Sequence, residues 1–163
     1  MGVLRPCSNS DRANVLAVIN LAAERYRGAI PADRWRVPYM PAAELAREIA
    51  AGVAFHGYFE GERLLGVMGI QPVADVHLIR HAYVQPEAQG RGIGGRLLQH
   101  FVDHCPTRML VGTWAAATWA IGFYQRHGFV RVDAARTPEL LGRYWNIPAR
   151  QVETSVVLSR APA

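Results

Sequence analysis

An α/β domain, a mixed sheet with helices on both faces, is the fold class this sequence predicts. Three observations carry that prediction. Strand-like runs alternate along the chain with longer stretches of helical period. Two such runs flank Gly61, as the arms of a hairpin do. The segment Gln89-Gly90-Arg91-Gly92-Ile93-Gly94 joins a strand-like run to an amphipathic helix, and its glycines let the backbone turn tightly.

Taken in order, Gly2 to Arg5 reads as a first strand. Ser10 or Asp11 caps a helix through about Glu24, with Val15, Leu16, Ile19 and Ala23 as its apolar face. The segment Tyr26 to Pro41 breaks that period and sets Tyr26, Trp35 and Tyr39 among prolines and arginines. A second helix covers Ala42 to Ala50 and is stopped by Gly52. Val53 to Glu60 and Arg63 to Gln71 form the hairpin, and Val76 to Val84 is the next strand. A helix from Gly92 to about His104, a strand at Met109 to Thr113 and a helix from about Ala117 to His127 follow. A strand at Phe129 to Asp133 and a short helical piece at Pro138 to Tyr144 lead to the closing strand, Val152 to Leu158. The reading is a single domain over residues 1–163, without repeats or internal boundary.

Composition narrows the class. Half of the chain is hydrophobic and 19% is charged, which suits a folded globular domain. Cys7 and Cys105 make no spaced cluster, so neither a zinc site nor a disulfide framework is expected. No leader is visible and no run approaches the roughly 18 apolar residues of a membrane span, so the expected location is the cytoplasm and no membrane partner is expected. The formal charge is +5 and every basic residue counted in it is arginine. Those arginines are scattered rather than striped, so no nucleic-acid partner is expected, but a net positive potential attracts an anionic cofactor.

The glycine turn is the candidate site for such a cofactor. Its uncovered N–H groups and the positive end of the following helix suit a phosphate. Leu97, Leu98 and Phe101 seat that helix on the sheet, and Gly92 and Gly94 remove side chains where a diphosphate must approach. Arg91 and Arg96 either add charge there or face water. A dinucleotide fold places its glycines after the first strand and an acidic residue about 20 residues later; here the turn comes mid-chain and Asp103 falls too early, inside the helix. A Walker A loop needs a lysine, and the chain has none. A capping turn without a ligand has the same spacing.

Gln89, Gly92 and Gly94 fill the pattern Q/R-x-x-G-x-G/A, and Tyr83-Val84 followed by Pro86 precede it. Downstream, the run from Ala120 to Phe129, with Phe123-Tyr124 and Gly128-Phe129, fits A-x-x-F-Y-x-x-x-G-F. With both motifs the chain resembles the GNAT superfamily of acyl-CoA-dependent N-acetyltransferases, and the order of elements matches from Val3 to Leu158. The resemblance implies a splayed, mostly antiparallel sheet of about seven strands. Acetyl-CoA is the implied cosubstrate, lying in a V between the strands that end at Val84 and near Thr113. Backbone N–H groups of Gln89, Gly90, Arg91, Gly92, Ile93 and Gly94 bind its pyrophosphate in this picture, and backbone groups of Tyr83 and Val84 pair with the pantetheine. Where relatives often carry a cofactor-contacting asparagine, this chain has Ala117, with Thr113 and Thr118 as the nearest small polar residues.

Acetylating an amine sets two proton problems: the ammonium must lose a proton and the departing thiolate gains from receiving one. Tyr124 stands where many relatives place the tyrosine that supplies the second. For the first, His77 and His81 lie four apart in one strand and share a face if no bulge intervenes, with Arg80 on the other. Each is equally readable as a structural histidine, with water as the base; Glu60 and Glu62 read as solvated. His100 and His104, four apart on a helix, read as its solvent side rather than a metal site, and no metal is expected. In relatives the loop between the first two helices closes over the acceptor, which here makes Tyr26, Trp35 and Tyr39 candidate substrate-binding residues. Trp114, Trp119, Tyr144 and Trp145 are candidates for the same pocket. The expected function is transfer of an acetyl group from acetyl-CoA to a primary amine, of a small molecule, in a ternary complex. A protein or peptide acceptor and a non-catalytic acyl-CoA-binding domain are the rivals, and the resemblance implies a homodimer.

Overall fold

The computed structural model describes residues 2–162. Seven strands make one sheet: β1 (Val3–Pro6), β2 (Ala54–Glu60), β3 (Arg63–Val73), β4 (Val76–Val84), β5 (Arg108–Trp114), β6 (Val130–Arg131) and β7 (Ser155–Arg160). Their spatial order is β1-β2-β3-β4-β5-β7-β6. Every neighbouring pair is antiparallel except β4 with β5. That one parallel pair needs a crossover, which α3 (Ile93–His104) supplies. The sheet is therefore mixed and mostly antiparallel, as expected.

Helices cover both faces. The face carrying Met68, Ile79 and Met109 packs against Leu97, Leu98 and Phe101 of α3 and against Ile121 and Tyr124 of α4 (Thr118–Arg126). The opposite face holds α1 (Arg12–Ala22) and α2 (Ala42–Ala50), which bury Val15, Ile19 and Leu45 against Phe55 and Val67. Next to them α5 (Thr137–Tyr144) covers Leu78, Leu110 and Val157. Burial of these side chains, each worth about 1.5–3 kcal/mol, fixes which way every strand faces. No helix among the described residues is long and apolar enough to cross a membrane.

Two boundaries differ from the sequence reading. Val152 begins no strand; it lies in α6 (Ala149–Glu153), where its N–H bonds the carbonyl of Pro148. The strand expected at Phe129 to Asp133 shrinks to Val130–Arg131, because the Phe129 N–H returns to the Tyr124 carbonyl and closes α4 instead. Both residues have strand-like side chains; a local helical hydrogen bond won.

Candidate active site

The sheet splits in its middle. β4 and β5 pair from Val76↔Arg108 only as far as Ile79↔Val111. Beyond that point β5 keeps its partner on the far side, with Gly112, Thr113 and Trp114 bonded to β7. β4 likewise keeps β3, with Tyr83 opposite Val67 and Val84 opposite Gly66. The facing edges of 80–84 and 112–114 thus carry no ladder between them. A V opens there, with backbone N–H and C=O groups available to a guest.

A β-bulge lies at the split. Between Gly69↔Arg80 and Val67↔Tyr83, β4 carries one residue more than β3, and His81 adopts φ 54°, in the left-handed region. The extra residue shifts the alternation by one. His81 therefore joins Arg80 on the α1–α2 face, while His77 stays on the other. The expectation that His77 and His81 share a face opposite Arg80 is corrected here: a bulge does intervene. His77 sits 2.6 Å from Thr107 Oγ1 and lines neither cavity of the cleft.

The larger cavity, about 470 Å³, runs from the glycine turn to the V. Gln89, Gly90, Gly92, Ile93 and Gly94 line it together with Tyr83 and Val84. Gly90 and Gly92 have φ of 82° and 78°, backbone that a side chain strains, and Gly92 caps α3. Gly94 also faces α4: a Cβ there would meet the Phe123 ring at 3.4 Å, an ordinary contact distance. Gln89 donates from Nε2 to the Val84 carbonyl at 3.1 Å and ties the turn to the strand end. Arg25, Arg126 and His127 also line this cavity, and no carboxylate does among the described residues.

A second cavity of about 160 Å³ lies across the V. Tyr26 and Tyr39 wall it from the loop, Trp114 from β5, and Trp145 and Ile147 from the segment after α5. Tyr26, Ala82, Tyr83 and Tyr124 line both cavities, so the two meet at these residues. Burial is the main reason that the Tyr124 phenol is held well above its usual range and Tyr26 is pushed up to about 12. Both therefore stay protonated at neutral pH. His81 reaches this cavity with its ring 2.6 Å from Glu48 Oε1, and Arg80 sits 2.7 Å from the same oxygen. No group of three or more potential metal ligands is gathered among the described residues.

The acetyltransferase (GNAT) domain family matches residues 20–139. This chain belongs to that family. Solved structures share the fold at low identity. The PaiA N-acetyltransferase of Thermoplasma acidophilum, solved with coenzyme A, is 16% identical with a TM-score of 0.74, covering 99% of each chain. A GNAT acetyltransferase of Staphylococcus aureus Mu50 is 14% identical with a TM-score of 0.74 over 100% of both chains. The ribosomal-protein-S18-alanine N-acetyltransferase of Escherichia coli is 16% identical with a TM-score of 0.72, covering 100% of this chain and 95% of its own. No curated protein sequence matches this one.

Several expected site residues of this GNAT domain stand apart from the cleft. Ala117 is fully buried at the start of α4 and lines neither cavity, so it offers a cofactor no surface. The Arg91 guanidinium turns away from the cavity to Glu60 at 2.5 Å. Trp35 backs Tyr39, ring centroids 5.9 Å apart, as an outer layer. Tyr144 belongs to the core and donates to Asp75 at 2.7 Å. His100 is half-buried against His56 of β2 rather than turned to solvent, with ring centroids 4.9 Å apart. In return the fold adds residues the sequence reading passed over. Arg126 and His127 lie within the second motif, where a cation and a polar ring near a phosphate site were legible. Glu48, in the last turn of α2, gave no signal.

Proposed function

We propose that this GNAT domain transfers an acetyl group from acetyl-CoA to a primary amine of a small molecule by direct attack in a ternary complex. The observation that carries the reading is the meeting of two unlike cavities at Tyr26, Ala82, Tyr83 and Tyr124. The larger one combines an open strand edge, a glycine turn at a helix N-terminus and cations without a carboxylate, which suits a long polyanion carrying amides. The smaller one is about 160 Å³ and walled by aromatics, room for roughly five waters. A compact amine fits it better than a peptide chain does.

The reaction then needs little beyond placement. Holding amine and thioester together at the junction supplies much of the rate by proximity. A backbone N–H near Val84 supports the developing oxyanion. His81 takes the first proton of the ammonium. As the C–N bond forms and the C–S bond breaks, Tyr124 protonates the departing thiolate and is itself reprotonated by the second proton of the amine. A thiol-release assay with acetyl-CoA and a panel of small amines, amino acids and peptides tests this, with Tyr124→Phe beside the parent. Small amines raise release and the variant abolishes most of it. Response to peptides alone moves the acceptor to protein; binding of acetyl-CoA with no responding acceptor makes the domain a binding module.

A further inference from the structure

Glu48 holds two lining residues of the smaller cavity, His81 and Arg80, and the acetyl-transfer steps give it no role. We propose that Glu48 is a positioning residue that fixes the tautomer of His81, so that Nδ1 is the nitrogen that takes the acceptor's proton. This rests on His81 being the base and names what makes it one.

Hydrogen-bond chemistry carries it. The side chain of Glu48 is 16% exposed, and its Oε1 lies 2.6 Å from His81 Nε2 and 2.7 Å from the Arg80 guanidinium. Burial pushes the Glu48 carboxyl up, but the His81 hydrogen bond and the neighbouring positive charges, Arg80 and Arg36 among them, oppose it, and the net displacement is downward. Glu48 is therefore ionised at neutral pH, and a carboxylate only accepts. The hydrogen in the short contact with His81 belongs to Nε2. A neutral imidazole with its hydrogen on Nε2 keeps its lone pair on Nδ1.

Aromatic rings and charged groups surround the imidazole. His81 lies between Phe55 of β2, at 6.0 Å between centroids, and Tyr83, at 6.5 Å. The titratable and charged groups about it are Glu48 from α2, Arg80 and Tyr83 from its own strand, and Tyr39 from the loop, with Arg36 and Glu44 beyond. Arg80 also donates to Gln71 at 3.0 Å, so the carboxylate is gripped from a second, anchored side. The left-handed backbone at His81, φ 54°, is an outlier of the kind that persists when its surroundings over-determine it. In the reaction one ammonium proton goes to Nδ1 and on to solvent, the imidazolium facing Glu48 with Nε2–H. The other leaves with sulfur as the CoA thiol.

The test uses the full chain labelled with 15N-histidine. A two-bond 1H–15N correlation spectrum reports the tautomer, and His81→Gln assigns the signal by its loss. Nε2–H is expected in the parent, with the preference lost in Glu48→Gln and kept in Glu48→Asp. With a responding amine, Glu48→Gln lowers kcat about 10- to 100-fold, leaves the KM for acetyl-CoA unchanged and moves the acid limb of kcat/KM to lower pH; Glu48→Asp recovers part of the loss. An Nδ1–H tautomer in the parent overturns the proposal, and so does a Glu48→Gln enzyme with unaltered kcat and pH profile. Should Glu48→Gln not fold, the parent spectrum and Glu48→Asp decide. Failure of the acetyl-transfer reading is distinguishable, since it shows as no turnover with any amine while the tautomer spectrum still decides for or against Glu48. Full kcat in His81→Gln overturns the proton-transfer step itself.

Discussion

The two walls of the cleft are built in opposite ways. The cofactor wall comes mainly from two short pieces of chain, residues 82–95 and 119–127, each a local motif on the end of a helix or strand. The acceptor wall is gathered from Tyr26 to Ser155: the two facing strand segments 79–83 and 111–114 supply its floor, and single residues from the loop, from α4, α5 and α6, from the segment after α5 and from β7 close it. A wall made locally has its geometry set by φ angles and helix ends, which few substitutions leave intact. A wall made of scattered side chains can be remodelled one residue at a time. The first suits a ligand that stays the same, the second one that differs from protein to protein.

Substitutions at and on either side of the junction sharpen or break that contrast. The largest effect is expected at the junction itself: Tyr124→Phe lowers kcat about 100-fold while calorimetric binding of coenzyme A holds, because only the proposed proton donor is gone. An unchanged kcat would return Tyr124 to a packing role.

Gly92→Val acts on the cofactor wall alone. A β-branched residue at φ 78° costs about 1–2 kcal/mol and also covers N–H groups of the turn, so the Kd for coenzyme A rises about tenfold or more. The apparent affinity for the amine, measured at saturating acetyl-CoA, stays put. Coupled losses on both sides would mean that the walls are not independent.

Trp114→Ala does the reverse. Loss of one aromatic wall of the smaller cavity raises the acceptor KM about tenfold, and coenzyme A binding measured separately does not move. The smallest effect belongs to the ion pair of Asp33 with Arg150, which joins the loop to α6 at 3.2 Å with both side chains about half exposed. Asp33→Ala shifts the acceptor KM by about twofold or less, and salt titration of the parent gives a change of the same size.

The contrast also sets what was readable in advance. The glycine turn, the Tyr83-Val84 strand end and the Phe123-Tyr124 helix are contiguous patterns, and the strand, helix and turn that hold them stand within a residue or two of where periodicity puts them. Among the aromatics of the loop, Tyr26 and Tyr39 reach the cleft and Trp35 does not; side chains four and more apart in an irregular segment have no period that says which points inward. Arg126 and His127 were within reach of a closer reading, whereas Glu48 reaches His81 across 33 positions of chain and nothing local marks it.

By itself the sequence determined the order of strands and helices, the apolar faces that stack them, and a phosphate-ready turn. All of these are short-range, arising from side-chain period, capping and glycine backbone freedom. Tertiary structure alone decided where the sheet splits and which histidine enters the cleft. One unpaired residue in β4, relative to β3, shifts the side-chain alternation, places His81 beside Arg80 against Glu48 and leaves His77 on the far face. Register is a property of two strands together, so a single strand's sequence does not contain it.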